Sequence, residues 1–283
     1  MSVDKNFRDR VLESNRYVHS FLVELNEYQK SPHFRPENQQ KVRNILLKLT
    51  APLTERKRMI DFGCGTGFVI NLAHDLFEEV VGVDITQEMM ARVDLSPGNI
   101  CLVETLAEAT PFEDNHFDFA TAYSFMDHLF DYKIFLQEVY RVLKSGGVFY
   151  SDLNPNREFI VAMEKMAVRP AQDECSSHIS REIKGALHNG EFYQHQFGMD
   201  AEQLEQAEPG KTINKGFLLH EVAQVAKDIG FTDCKIEFEW FINQGEWVNQ
   251  KAQGQAALIE EYLASMRPLS DQFYKYLRFV LVK

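Results

Sequence analysis

The chain has 283 residues, 45% of them hydrophobic and 25% charged, enough to bury a large core without disulfides or metals. Its formal net charge of −12, from 30 basic and 42 acidic residues, argues against a broad nucleic-acid footprint, which needs Lys and Arg to neutralise phosphates. No apolar run reaches the length of a membrane span, and the polar stretch from Met1 to Arg10 does not read as a signal peptide, so a cytoplasmic protein without membrane partners is expected.

Residues 4–50 read as two helices: Leu12, Phe21, Leu22 and Leu25 sit near helical spacing, and Val42, Ile45, Leu46 and Leu49 form a second stripe. Ser31-Pro32 separates them and Pro52 ends the second. From Arg58 strands and helices alternate. Strands are expected at Arg58–Phe62, Glu79–Val83, Ile100–Val103, Phe117–Ala122 and Val148–Leu153. Phe68–Leu76 and Tyr132–Lys144 have helical periodicity, the latter stopped by Ser145-Gly146-Gly147, and Thr86 reads as an N-cap. The rhythm breaks at 154–216, where Arg181–Leu187 and Glu191–Phe197 flank Asn189-Gly190 and predict a β-hairpin. A helix at Phe217–Ile229 closed by Gly230, a strand at Cys234–Trp240, a partly helical insert at 243–275 and a last strand at Tyr276–Val282 complete the chain. Apolar strands alternating with helices imply a mainly parallel sheet covered on both faces.

The most informative segment is Met59-Ile60-Asp61-Phe62-Gly63-Cys64-Gly65-Thr66-Gly67. Three alternating glycines at the end of a buried strand permit a tight turn and let a ligand approach the backbone, and the helix beyond offers free N–H groups to an anion. A dinucleotide fingerprint needs glycine at its sixth position, and counting from Gly63 that position is Phe68. No Gly-Lys-Ser/Thr follows, so the loop is not a Walker loop either. Asp84 ends the second strand, where a carboxylate can accept from both hydroxyls of a ribose. The four cysteines, Cys64, Cys101, Cys175 and Cys234, lack metal or redox spacing and are expected to be reduced thiols; no metal site is expected. Asp118 is expected to order a loop or strand end, and Asp127-His128 is a possible acid–base pair.

Four segments in order, D-F-G-C-G-T-G, V-G-V-D-I-T, A-E-A-T-P-F-E-D-N-H-F-D-F-A and E-V-Y-R-V-L-K-S-G-G-V-F, resemble the class I S-adenosylmethionine-dependent methyltransferases, small-molecule type. The resemblance runs from about Met59 to Asp152 and returns weakly at Phe217–Phe241 and the last strand. It implies an α/β, Rossmann-like fold with a seven-stranded, mostly parallel sheet and helices on both faces, here with N-terminal helices and a hairpin-containing insert added. The implied cofactor is S-adenosyl-L-methionine. On the family pattern, Asp61, Gly63, Gly65 and Gly67 surround its methionine end, Asp84 holds the ribose, Ile85 packs on the adenine, and Ala107 and Glu108 hold the adenine edge. Many relatives carry Asp where this chain has Leu106, so Glu104 or Glu108 would have to replace that contact. Tyr123 and Ser124 fall beside the sulfonium and methyl group; Tyr123 and His128 are the candidate catalytic residues.

The implied organisation is a helical cap at 1–52, the cofactor-binding half at 53–153, an inserted lid or dimerisation segment at 154–216, and the rest of the sheet at 217–283. The expected partner is a small-molecule methyl acceptor with an N, O or C nucleophile, in a monomer or homodimer. After the fourth strand the chain reads Ala122-Tyr123-Ser124-Phe125, without the Asn/Asp-Pro-Pro-Tyr/Phe of base-modifying amino-methyltransferases or the acidic residue of aminopropyl transferases. A cofactor-binding module without catalysis, and a nucleotide-cofactor oxidoreductase, stay as alternatives. Phe192, Tyr193, His195 and Phe197 of the insert, with Phe241 and Trp247 beyond it, are aromatic groups that would wall an acceptor pocket, or equally extend the sheet or mediate a dimer.

Overall fold

A computed structural model of the chain describes residues 5–26, 34–168, 175–187, 189–249 and 253–283. Helices α1 (Lys5–Glu24) and α2 (Pro36–Thr50) precede the alternating region. There β1 (Arg58–Phe62), α3 (Phe68–Ala73), β2 (Glu79–Asp84), α4 (Gln87–Met90), β3 (Ile100–Glu104), β4 (Phe117–Tyr123), α5 (Tyr132–Val142) and β5 (Leu143–Pro155) follow in order. The insert holds α6 (Arg157–Ala167), α7 (Cys175–Leu187), α8 (Asn189–Phe197), α9 (Ala201–Ala207) and α10 (Pro209–Thr212). Helix α11 (Leu219–Ile229), β6 (Asp233–Phe241), α12 (Gln244–Asn249), α13 (Gln253–Ser265) and β7 (Tyr274–Val282) close the fold.

The strands form one seven-stranded sheet in the order β3-β2-β1-β4-β5-β7-β6. Strands β1 to β5 pair in parallel, and β7 runs antiparallel between β5 and β6. Successive residues point to opposite faces and both faces are covered, so the central strands are apolar throughout rather than alternating. Ile60, Phe62, Ala120, Ala122 and Phe149 pack under α5 and α11, against Leu136, Val139, Val222 and Ala226. Met59, Val80, Phe119 and Tyr150 face the other way, against Val42 and Leu46 of α2 and Ile70 of α3. The order reverses between β1 and β4, and in such a sheet ligands bind at the carboxyl ends of the strands beside that reversal.

Two expectations are corrected here. The hairpin around Asn189-Gly190 is absent: α7 and α8 occupy those residues. The reason lies in the apolar spacing. Ile183, Ala186 and Leu187 stand three and four residues apart, a helical stripe, and they pack on Phe159, Ile160 and Met163 of α6. Gly190 has no positive φ, which a two-residue hairpin turn would require; a Cβ there would lie 3.0 Å from the Ala201 carbonyl oxygen. Second, α5 ends at Val142 rather than Lys144, because Leu143 is already extended and pairs with Phe117. Gly230 ends α11 as expected, with φ 117°. Among the described residues no helix is long and apolar enough to cross a membrane.

Candidate functional site

The turn from β1 into α3 is built by its glycines. Gly63, Gly65 and Gly67 have φ of 63°, 51° and 84°, all in the left-handed region that an L side chain resists. A Cβ on Gly63 would stand 2.0 Å from Cδ2 of Phe125, whose ring lies over the loop after β4 turns back. Gly67 is the N-cap of α3 and does not line the cleft that the other two help form.

That cleft has a volume of about 290 Å³ and opens at the carboxyl ends of β1, β2 and β4. It brings together Asp61, Gly63, Gly65, Asp84, Ile85, Ala107, Glu108, Tyr123 and His128, residues spread over more than sixty positions of sequence. Asp84 is fixed at both oxygens: Gly65 N donates to Oδ2 at 2.9 Å and Thr86 N to Oδ1 at 2.8 Å. Each oxygen keeps a further lone pair for a ligand. Thr86 precedes α4 as expected, but its hydroxyl accepts no hydrogen bond from the first turn; its own N–H donates to Asp84. Burial pushes the Asp84 carboxyl above its ordinary value, against these two donors. Asp61 is more deeply buried; burial pushes it up to about 7, although Thr121 Oγ1 donates to its Oδ1 at 2.6 Å.

The far edge of the cleft distinguishes the two glutamates. Glu108 lines the cleft, half-buried and raised by burial, whereas Glu104 is exposed and accepts from Gln87. Tyr123 ends β4 with its ring 4.7 Å from Phe68, which in turn lies 4.9 Å from Phe34. Its hydroxyl accepts from Asn38 Nδ2 at 3.0 Å, and burial drives its ionisation far above the ordinary range. His128 Nδ1 lies 2.9 Å from the Ala207 carbonyl oxygen. A carbonyl only accepts, so Nδ1 carries a proton and Nε2 is the nitrogen left to face the cleft's chemistry. The His19 ring packs edge-on to it at 4.7 Å, and burial lowers His19 to about 3, so His19 is neutral. Asp118, outside the cleft, accepts from Lys57 N and Arg58 N and pairs with Lys144, ordering the start of β1 as expected.

Three contributions to the cleft carry no local signal in the sequence. Helix α1 lies along it through Leu12, Asn15 and His19, held there by Arg16 Nε donating to the Ile85 carbonyl at 3.2 Å and Ser20 to Glu88 at 3.1 Å. Phe34 joins from the segment before α2, and Glu208 from the turn between α9 and α10. The apolar stripe of α1 was visible; that it covers this site rather than another face was not. The aromatic residues of the inserts lie elsewhere. Phe241 is buried against Ala256 and Tyr274 with Trp247 packed on them, His195 is exposed and Phe197 half-buried; none of these four aromatic-ring residues of the inserts lines the cleft. The side chains of Phe192 and Tyr193 lie outside the described residues.

Fold and cleft together define a Rossmann-like α/β domain with the fold of the class I, S-adenosylmethionine-dependent methyltransferases. More particularly, residues 60–151 match the family model of the methyltransferase domain. Over 106 residues the chain is 34% identical to a Mycolicibacterium smegmatis protein named as a probable S-adenosylmethionine-dependent methyltransferase, covering 35% of this chain and 38% of that one. The first two curated relatives are spanned over only 38% and 52% of their own lengths. Among solved structures, phosphoethanolamine N-methyltransferase 2 of Haemonchus contortus, in complex with phosphomonomethylethanolamine and S-adenosylhomocysteine, superposes with a TM-score of 0.57 at 19% identity, over 98% of this chain and 60% of that one. The (4+2)-cyclase SpnF superposes with a TM-score of 0.56 at 15% identity, over 95% and 94% of the two chains. These structural likenesses establish the fold; the chemistry must be argued from the cleft.

Proposed function

We propose that this chain transfers a methyl group from S-adenosylmethionine to a small-molecule acceptor. The observation that carries the reading is Asp84: a carboxylate held at both oxygens by the backbone, inside a cleft, beside a loop whose glycines leave room for a ligand. The residues fit the cofactor. A Cβ at Gly65 would stand 2.9 Å from Met89 Cε and 4.0 Å from the Gly63 carbonyl oxygen, so only glycine leaves this stretch of the cleft wall uncrowded. Asp61 would take the methionine ammonium, Asp84 the ribose hydroxyls, Ile85 the adenine face, and Ala107 and Glu108 the adenine edge. When bound, the cofactor supplies an electrophilic methyl group on a sulfonium.

The chain's own residues then have three tasks. Tyr123, with Phe68 and Phe34 behind it, bounds the reacting end and favours a cationic ligand through the ring faces. Helix α1, the cap within 1–52, covers the cleft and excludes water, which keeps the acceptor aligned; alignment alone can supply about 7–11 kcal/mol of barrier lowering. His128, through Nε2, accepts a proton from the acceptor where one must leave. The test is transfer of an isotope-labelled methyl group from S-adenosylmethionine to a metabolite panel, read by mass spectrometry. The reading predicts a labelled small molecule and S-adenosylhomocysteine in equal amounts; cofactor binding with no labelled product across the panel would favour a non-catalytic module.

A further inference from the structure

Behind the acceptor end of the cleft lies a set of ionisable groups that cofactor binding does not use. Glu208 lines the cleft and pairs with Lys211 at 3.2 Å. Asp127 is buried beside them, and its Oδ1 has no hydrogen-bond donor. Gly210 brings α10 against this residue so closely that a Cβ would stand 2.7 Å from the Asp127 Cα. The remaining titratable groups around Glu208 and Lys211 are His128 and Tyr276. His128 is held in its Nδ1-protonated form by the Ala207 carbonyl, and burial pushes the Tyr276 hydroxyl up to about 12.

The charges do not balance. Two carboxyl groups, Asp127 and Glu208, face one ammonium, Lys211. Burying a carboxylate without a counter-charge is unfavourable, and the orphan Oδ1 of Asp127 marks where the deficit falls. The titration of the set agrees. Burial opposes the ionised form of Glu208, but the Lys211 ammonium outweighs it and holds the carboxyl below its ordinary value, while burial leaves Asp127 raised. One further positive charge beside Glu208 would complete the set, and the aromatic row of Phe34, Phe68 and Tyr123 on the same cleft also suits a cation.

We propose that the methyl acceptor is a small primary or secondary amine that enters as an ammonium ion and is held by the Glu208 carboxylate, with Asp127 supporting it from behind. The proposal rests on the methyl-transfer reading and narrows it from any N, O or C nucleophile to nitrogen. An ammonium nitrogen has no free lone pair, so it first gives a proton to His128 Nε2, which the fixed tautomer leaves open. The freed lone pair forms the new N–C bond as the S–C bond breaks, its electrons staying on sulfur. The products are an N-methylated ammonium and a neutral thioether, and the imidazolium returns its proton to solvent. An alcohol or carboxylate acceptor would leave the buried Asp127 and the half-buried Glu208 facing one ammonium.

The experiment measures binding to the wild-type chain saturated with S-adenosylhomocysteine. Aliphatic and arylalkyl amines, from propylamine to phenethylamine, are titrated calorimetrically, each paired with its alcohol and carboxylate isosteres. The expected result is that the best amine binds about tenfold or more tighter than either isostere, as a charge-assisted hydrogen bond implies. Glu208→Gln should erase that preference while S-adenosylhomocysteine affinity stays within about twofold, and Asp127→Asn should weaken it. The second variant, with circular dichroism on both, guards against a folding defect at position 208. The proposal is overturned if no amine outbinds its isosteres, if an alcohol or carboxylate is preferred, or if the amine preference survives both substitutions. Failure of S-adenosylhomocysteine to bind the wild-type chain would instead overturn the methyl-transfer reading beneath it.

Discussion

Replacing Asp84 separates the cofactor site from the scaffold that holds it. In the structure each oxygen accepts one backbone N–H, from Gly65 and Thr86, and keeps a lone pair for a ribose hydroxyl. A hydrogen bond to a charged group is worth about 1.5–3 kcal/mol, so two ribose bonds amount to roughly 3–6 kcal/mol. Water entering the gap left by alanine recovers part of this. The expected loss of S-adenosylhomocysteine affinity in Asp84→Ala therefore lies between about tenfold and about a thousandfold, or roughly 1.4–4 kcal/mol. The same change leaves the two backbone donors without their acceptor and so lowers the melting temperature of the ligand-free chain. Asp84→Asn keeps the shape but turns an NH₂ toward one of those donors, so it should also lose affinity, with a smaller change in melting temperature. Isothermal calorimetry gives the affinities and calorimetric unfolding the stabilities. If both variants fold and bind S-adenosylhomocysteine within about twofold of wild type, the assignment of the ribose to Asp84 is refuted.

Other outcomes follow from the same geometry. Gly63→Ala should abolish S-adenosylhomocysteine binding and lower the melting temperature, because its Cβ would lie 2.0 Å from the Phe125 ring at a φ of 63°; adding Phe125→Ala should recover part of the stability but not the roughly 1–2 kcal/mol of left-handed strain. Asp61 is raised to about 7 by burial, so the ligand-free chain loses stability as pH climbs from the unfolded carboxyl value to about 7 and then levels off, since over that window the folded state holds a proton that the unfolded state has released. Asp61→Asn should flatten that slope. If Asp61 receives the methionine ammonium, binding should release a proton near pH 6, seen as a calorimetric enthalpy that varies with the buffer's ionisation enthalpy in wild type and not in Asp61→Asn. Trp247→Ala should lower stability by about 1–3 kcal/mol, as truncation of a half-buried aromatic in the Phe241 and Tyr274 cluster, and leave S-adenosylhomocysteine affinity unchanged. Arg278→Met removes the buried partner of Asp152 and Glu239 and should cost about 3–5 kcal/mol in unfolding experiments.

The parts of the site that were legible in the sequence are those whose physics is local. Alternating glycines after a buried strand admit few conformations, and Gly63, Gly65 and Gly67 adopt the left-handed ones. Asp84 sits at a strand end, where the register of β1 against β2 sets it beside Gly65. What was not legible depends on which distant surface an element meets. The stripe on α1 was plain, but nothing in it says that Asn15 and His19 reach His128, more than a hundred residues away. Glu208 reaches the cleft because α9 packs on α1 through Leu204 and Ala207 against Val18 and Leu22, a contact with no sequence period. The helices at Asn189-Gly190 have the opposite cause. A strong turn dipeptide competes there with the helical spacing of Ile183, Ala186 and Leu187, and the packing partner in α6 decides for helix. The aromatic residues of the later insert carry no local signal of what they pack on, and a small separate core takes Phe241 and Trp247.

The cleft between the glycine loop and Asp84 is proposed to take S-adenosylmethionine and not a dinucleotide. Calorimetric titration of the wild-type chain with S-adenosylhomocysteine, and separately with NAD, decides between the two. The predicted result is a single S-adenosylhomocysteine site per chain that NAD neither fills nor competes for; saturable NAD binding with no S-adenosylhomocysteine binding would contradict it.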